Sequence, residues 1–224
     1  MKIQKNWFYL IDDSFSENIE IWEWVYAFVF LNETEKSFKF ILRQNSRLDY
    51  FWFFSKRSSS KIEFNQVEDN SLLNVKQMFF NHKTDLTSNI KSIIASNNSN
   101  SFINIISIIK DNKLSIDSSI EIEQWLVWIE ANLKQKNIFI WDSWSVRGLP
   151  KLNVKSFNVK ASHSCKVERI NDEILFYLKS RWISENKAIL MMIESYFLKN
   201  FKCLKMMDEN YYNKVYDDFL SLNK

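Results

Sequence analysis

The sequence predicts an α+β fold: an N-terminal antiparallel β-meander of about five strands, a mixed central region, and a C-terminal helical bundle packed on the sheet. Three observations carry that expectation. Runs between residues 21 and 67 read as strands, with aromatics at every even position of 21–30 and alternation over 37–43, the apolar residues after residue 171 recur at helical spacing, and the two patterns are largely segregated along the chain. At 224 residues the chain reads as a single α+β domain, 1–224; the alternative is a subdivision into a β-meander over 1–67 and a mixed and helical region over 68–224.

The meander begins with the run from Trp7 to Ile11. From Ile21 to Phe30 aromatic residues hold every even position, so Trp22, Trp24, Tyr26, Phe28 and Phe30 share one face of an extended element. After a polar break at residues 32–36, the alternation resumes from Ser37 to Arg43, and the two stretches read as a hairpin. Runs at Tyr50–Ser55 and Lys61–Val67 extend it. Phe38, Phe40, Tyr50, Trp52 and Phe54 are then expected to pair with the first aromatic row as a core face. Any part left exposed reads as a protein-binding surface.

Beyond Asp69 the period changes. Leu72, Val75, Met78 and Phe79 fit one helical stripe, and Leu86, Ile90, Ile93 and Ile94 fit a second. Asn97 to Ser101 reads as a loop and Phe102 to Ile109 as a buried strand. Ser118-Ser119-Ile120-Glu121 matches a capping box ahead of Ile122, Trp125, Leu126, Ile129 and Leu133, which predicts a helix ending near Lys136-Asn137. Strands are expected from Ile138 to Trp141 and from Leu152 to Val159, on either side of a turn at Arg147-Gly148-Leu149-Pro150. Asn171, Ser184 and Asp208 are placed to cap three final helices. The middle one is apolar on more than one face, so it is buried or meets a partner.

That turn holds the chain's one glycine and one proline, where an average composition would supply roughly 16 and 11. Other turns must therefore use Asn, Asp and Ser. Abundant Ile, Asn, Lys and Phe indicate an AT-rich gene, and the nine tryptophans are assigned to packing.

A single glycine excludes the P-loop and the dinucleotide fingerprint, which need several. Cys165, Cys203, His82 and His163 have no metal-ligand spacing, so neither a metal nor a cofactor is expected. Asp12-Asp13, Asp217-Asp218 and Glu121/Glu123 read as turns, caps or solvated faces rather than catalytic pairs. Two cysteines suit a reducing compartment. No signal peptide, transit peptide or apolar stretch of about 20 residues is found, so the expected location is cytoplasmic, or an organelle matrix if organelle-encoded.

Between Val146 and Arg169 six basic residues face one acid, a local charge of +5 against +3 for the chain. Trp144, Arg147, Lys151, Lys155, Lys160 and Lys166 are the candidate contacts to an acidic partner or a nucleic acid. The plainer reading is a lysine-rich solvated strand whose charges discourage edge pairing. The function expected is a non-catalytic protein-interaction module, either an assembly subunit or an inhibitor or immunity-type protein with one protein partner. The alternatives are a nucleic-acid-associated protein using the basic segment, and an enzyme with a dispersed site at Trp144, Arg147, His163 and Cys165. A thiol in this lysine-rich segment is expected to have a lowered pKa.

Overall fold

The computed structural model describes residues 1–31, 36–55, 59–82, 84–140 and 145–221. Among them, fifteen strands form two facing sheets in which every pairing is parallel. One sheet stacks β1 (Lys2–Ile3), β3 (Asn18–Ile21), β5 (Phe38–Leu42), β7 (Ser59–Gln66), β9 (Leu86–Ile94) and β11 (Lys113–Ile122); β13 (Ser145–Arg147) and β14 (Lys151–Val154) both lie on β11. The other stacks β2 (Trp7–Ile11), β4 (Tyr26–Leu31), β6 (Arg47–Phe54), β8 (Leu72–Asn81), β10 (Asn100–Ile109), β12 (Val127–Phe139) and β15 (Asn158–Arg169). Up to β12 the chain crosses from one sheet to the other at each step, and each strand pairs with the strand two before it. The result is a β-solenoid. Its coil widens along the chain: Trp7 pairs with Ala27, Arg47 with Leu72 and Asn100 with Glu130, spacings of 20, 25 and 30 residues.

The space between the sheets is filled by inward-facing rows. Tyr50 meets Phe40 and Phe64 edge-on at 5.6 and 5.2 Å, and Trp52, Phe54 and Phe79 continue the aromatic packing. Later coils fill it with isoleucine, at Ile90, Ile103, Ile105, Ile116 and Ile120. β-Branched side chains suit a pleated surface buried on one face.

Each coil turns where a residue adopts the left-handed conformation. Trp24, Asn45, Asn70, Asn98 and Trp128 have φ of 61°, 54°, 64°, 53° and 60° and stack in register at one corner. The Asn45 amide donates to the Asp69 carbonyl at 3.0 Å, Asn70 to Asn97 at 3.1 Å, and Asn98 to Val127 at 3.1 Å. In a chain so poor in glycine, Asn fills the middle three positions, because it tolerates this region better than other non-glycine residues. Ion pairs tie the coils as well: Arg43 bridges Glu20 of β3 and Glu68 beyond β7.

These facts overturn the α+β assignment and its antiparallel meander. Strand alternation is the same in either direction, so the sequence period fixed neither polarity nor partner. The expected hairpin fails because β4 and β5 lie in opposite sheets. Its aromatic rows separate too: Tyr26, Phe28 and Phe30 face outward, whereas Phe38, Phe40, Tyr50, Trp52 and Phe54 are inside, and Trp24 is an exposed corner residue. The helical stripes at 72–79 and 86–94 are strands β8 and β9. In β8 both faces are buried, with Leu73, Val75 and Phe79 inside and Met78 and Phe80 outside, so alternation is lost. The capped helix is a correction of the same kind. Ser118 is buried mid-strand in β11, its hydroxyl 3.4 Å from Gln135 Oε1, and Trp125 and Leu126 sit in a corner before β12.

The Gly148–Pro150 segment does not reverse the chain. Ser115 pairs with Arg147 and Ser119 with Lys151, so three residues oppose three and one strand position is simply interrupted. Gly148 has φ 101°, and a Cβ there would fall 1.7 Å from the Ile116 carbonyl oxygen. Only glycine fits this close approach. Proline's missing amide is tolerated at the interruption.

Three helices follow: α1 (Asp172–Ser180), α2 (Glu185–Met207) and α3 (Glu209–Ser221). Asn171 Oδ1 accepts the Ile174 amide and Asp208 Oδ1 the Tyr211 amide, both at 2.9 Å, whereas Ser184 makes no side-chain cap. α2 and α3 cover the outer face of the even-numbered sheet, where Phe53 meets Phe197 edge-on at 5.7 Å and Phe197 stacks on Phe219 at 4.7 Å. No described helix is long and apolar enough to cross a membrane.

Two outcomes are expected in urea unfolding. Asn70→Gly leaves stability within about 0.5 kcal/mol, while Asn70→Val costs about 1–2 kcal/mol by forcing a branched residue into the left-handed region. Gly148→Ala costs roughly 3 kcal/mol or more, because backbone and not a flexible side chain blocks the added methyl.

Candidate docking edge

β15 ends the even-numbered sheet. Its whole length pairs with β12 on one side, and no described strand pairs with the other. A row of backbone amides and carbonyls is thereby left without sheet partners. Alternation sends Val159, Ala161, His163, Cys165 and Val167 to the inward side, above Ile129, Ala131, Leu133, Gln135 and Asn137 of the coil below. Val159 and Ala161 close over the interior. His163 and Cys165, two residues apart, therefore share a face at the open end of the solenoid. Asn137 Nδ2 approaches Cys165 Sγ at 3.7 Å.

Burial pushes the Cys165 thiol above its ordinary value. This is opposite to the lowered value expected from the lysine-rich segment. The nearest lysine in sequence, Lys166, points to the other side of the strand and pairs with Glu168. Lys136 pairs with Glu168 as well, and its ammonium lies 4.6 Å from the centre of the Tyr196 ring on α2. Desolvation works to raise the Glu168 pKa, but hydrogen bonds from Lys136 and Lys166 outweigh it and hold the carboxyl below its ordinary value. The outer face of β15 is thus anchored to the helical layer through one carboxylate.

Large apolar residues crowd the corner beside this edge. Phe157 is 95% exposed, Trp125 83% and Trp128 71%. Ser156 fixes the local backbone, accepting the Leu126 amide at 2.9 Å and donating to the Glu123 carbonyl. A second apolar surface lies on α1 and just past it, where Ile174, Phe176, Tyr177 and Trp182 are exposed and no residue of the helix is buried.

The predicted contact residues are divided between the two sheets. Trp144 lies outside the described residues. Arg147 ends β13 and Lys151 begins β14. Lys151 pairs with Asp117 at 2.8 Å and Lys155 with Glu123 at 3.0 Å. Lys160 and Lys166 are on β15. Of the dispersed catalytic grouping, the structure brings together His163 and Cys165 on one strand, while Arg147 stands on the facing sheet. His82 pairs with Asp111 at 2.8 Å, and Cys203 Sγ is 3.7 Å from Lys76 Nζ. Among the described residues no three His, Cys, Asp or Glu side chains converge to hold a metal ion. Sequence reasoning missed the exposure of Trp125, which it placed on a helical stripe, and of Trp182. Trp128 and Phe157 gave no periodic signal at all.

Parallel coils stacked under an unpaired terminal strand define a solenoid scaffold, a class that works through its edges and faces. Residues 36–196 match the family described as SUF system FeS cluster assembly, SufBD core domain, and the chain belongs to that family. A comparison with curated proteins returns no match. The chain is an assembly-type subunit of this cluster-assembly family, which works in a protein complex.

Two measurements follow from the electrostatics. Iodoacetamide should alkylate Cys165 more slowly at pH 7 than it does an exposed cysteine, and faster as the pH rises beyond the ordinary thiol range. Glu168, with Glu68 held low by the Arg43 hydrogen bond, lies below the ordinary value of 4.5 in the folded state. Their contribution is complete above pH 4.5 and is lost as pH falls through the lower folded values. Thermal melts between pH 7 and 3 should therefore show a decline that Glu168→Gln makes shallower.

Proposed function

We propose that the protein is a non-catalytic scaffold subunit of iron–sulfur cluster assembly that adds a partner's β-strand to the open edge of β15. The observation that carries this reading is the twelve-residue unpaired edge with His163 and Cys165 on one face. Strand addition supplies main-chain hydrogen bonds for affinity, and the side chains along the seam select the partner. The edge bears Lys160 and Lys166 against Glu168, whose carboxylate Lys136 shares, so two copies of it repel and an acidic edge from a different protein is favoured. Thiolate and imidazole are ligands of iron–sulfur clusters, and the seam would hold both beside the substrate cluster. Because burial raises the Cys165 pKa, iron binding must displace its proton. The apolar face of α1 is a further surface for a protein partner. The ion pairs at Lys151, Lys155 and Lys166 favour a protein over a nucleic acid, since three candidate phosphate contacts already have carboxylate partners. The chemistry suits the cytoplasm or an organelle matrix.

The test is tagged recovery from the native source. The Ile170 amide donates to Phe139 of β12, so by alternation the odd-numbered residues of β15 present their amides to the open side. Val167→Pro, at an exposed position, removes one of these edge amides and should reduce recovery of an acidic partner about 10-fold without lowering helical content, and raised salt should weaken the wild-type complex. Cys165→Ser should keep the partner but lose most of the iron and sulfide retained after anaerobic reconstitution. Unchanged partner recovery with Val167→Pro would contradict the edge assignment.

A further inference from the structure

At the opposite end of the solenoid the even-numbered sheet finishes in β2, and a groove of about 260 Å³ opens between that strand and the junction of α2 with α3. Its walls include four aromatic residues, Trp7, Phe8, Tyr26 and Phe28, and the thioether residue Met207; Asn6 and Asp208 are its polar members. Trp7 is largely solvent-exposed, so the groove is accessible from outside.

The chemistry of this lining is selective. Asn6 Oδ1 already accepts the Tyr26 amide at 2.7 Å. Asp208 Oδ1 caps α3, which leaves Oδ2 as the acceptor available to a ligand. Among the described residues the lining carries one formal charge, the negative one of Asp208, and no lysine or arginine. An anion has nothing to bind here. A neutral apolar molecule would meet the ring faces but leave the carboxylate unused. Aromatic faces beside one carboxylate instead suit a cation with an apolar skin, because the ring quadrupole and the carboxylate attract its charge while the rings cover its methyl groups. Tyr26 already shows this behaviour: the Arg47 guanidinium lies 4.2 Å from its ring centre. Asp49 holds that guanidinium at 3.0 Å, so the arginine's charge is balanced locally.

We propose that this groove binds a methylated ammonium group, packed against the aromatic walls and paired with Asp208. The site is separate from the β15 edge and does not depend on the scaffold reading.

The experiment is titration of the intact chain with choline, following the Met207 methyl and Trp7 indole resonances. A parallel titration uses 3,3-dimethylbutanol, which has the same shape without the charge. The expected result is a saturable shift of both resonances with choline at a millimolar Kd, and binding of the neutral isostere at least about 10-fold weaker. Asp208→Asn keeps the helix cap, since Asn caps as well as Asp, and should weaken choline several-fold. Trp7→Ala, at an exposed position, should weaken it too. A trimethyllysine peptide distinguishes the two sources of such a group: tighter binding than choline assigns the site to a protein tail, and weaker binding assigns it to a free headgroup. Equal binding of choline and its neutral isostere, or no saturable shift up to about 100 mM choline, overturns the proposal.

Discussion

Parallel in-register stacking governs this molecule. Every coil must place its strands directly over those of the coil before it, so each corner repeats the same backbone conformation at the same place. The left-handed column from Trp24 to Trp128 is the visible result. The same constraint sets the interior, where inward rows must fill the gap between sheets, and the exterior, where α2 and α3 cover one face. Stacking also cannot end itself. The last strand of a parallel stack always has an unpaired side, and in this chain that strand is β15.

The fold was legible in part, for reasons that particular residues make plain. Alternation in Phe38–Leu42 marked a strand correctly, because one face of it is buried, and Arg47–Phe54 was read from its aromatic run, both of its faces being buried. Neither pattern could reveal direction, since a parallel partner 20 to 30 residues away leaves no local trace. In β8 the outer residues Met78 and Phe80 are also buried, under the helices, and alternation gave way to a false helical stripe. In β12, Trp125, Leu126, Ile129 and Leu133 mimic helical spacing although the first two belong to a corner. The terminal helices were clearer, since Asn171 and Asp208 act locally as caps. Depletion of glycine was read as a need for Asn in turns, and Asn45, Asn70 and Asn98 occupy such positions.

The candidate site shows the same division. Lys160 and Lys166 stood out as part of a basic segment, and His163 and Cys165 as members of a dispersed catalytic grouping rather than as ligands, because composition and spacing alone display that. Their placement on an open edge depends on which strand comes last in the stack, which only the assembled coils define. Alternation along β15 then separates two roles. The outward Lys166 and Glu168 fasten the strand to Lys136 and Tyr196, leaving the inward His163 and Cys165 at the end of the solenoid. A fixed outer face and an open inner face are what a docking edge requires: the strand is held rigid before its partner arrives, which reduces the ordering cost of association.

The central claim is that β15 is an edge waiting for a partner strand. Hydrogen–deuterium exchange, compared between the isolated chain and the complex recovered from its native source, tests it most directly. The account predicts that amides within residues 158–169 exchange faster than those of β10 in the isolated chain and become protected in the complex. Equal protection of β15 and β10 in isolation, or complex-dependent protection confined to other elements, would contradict it.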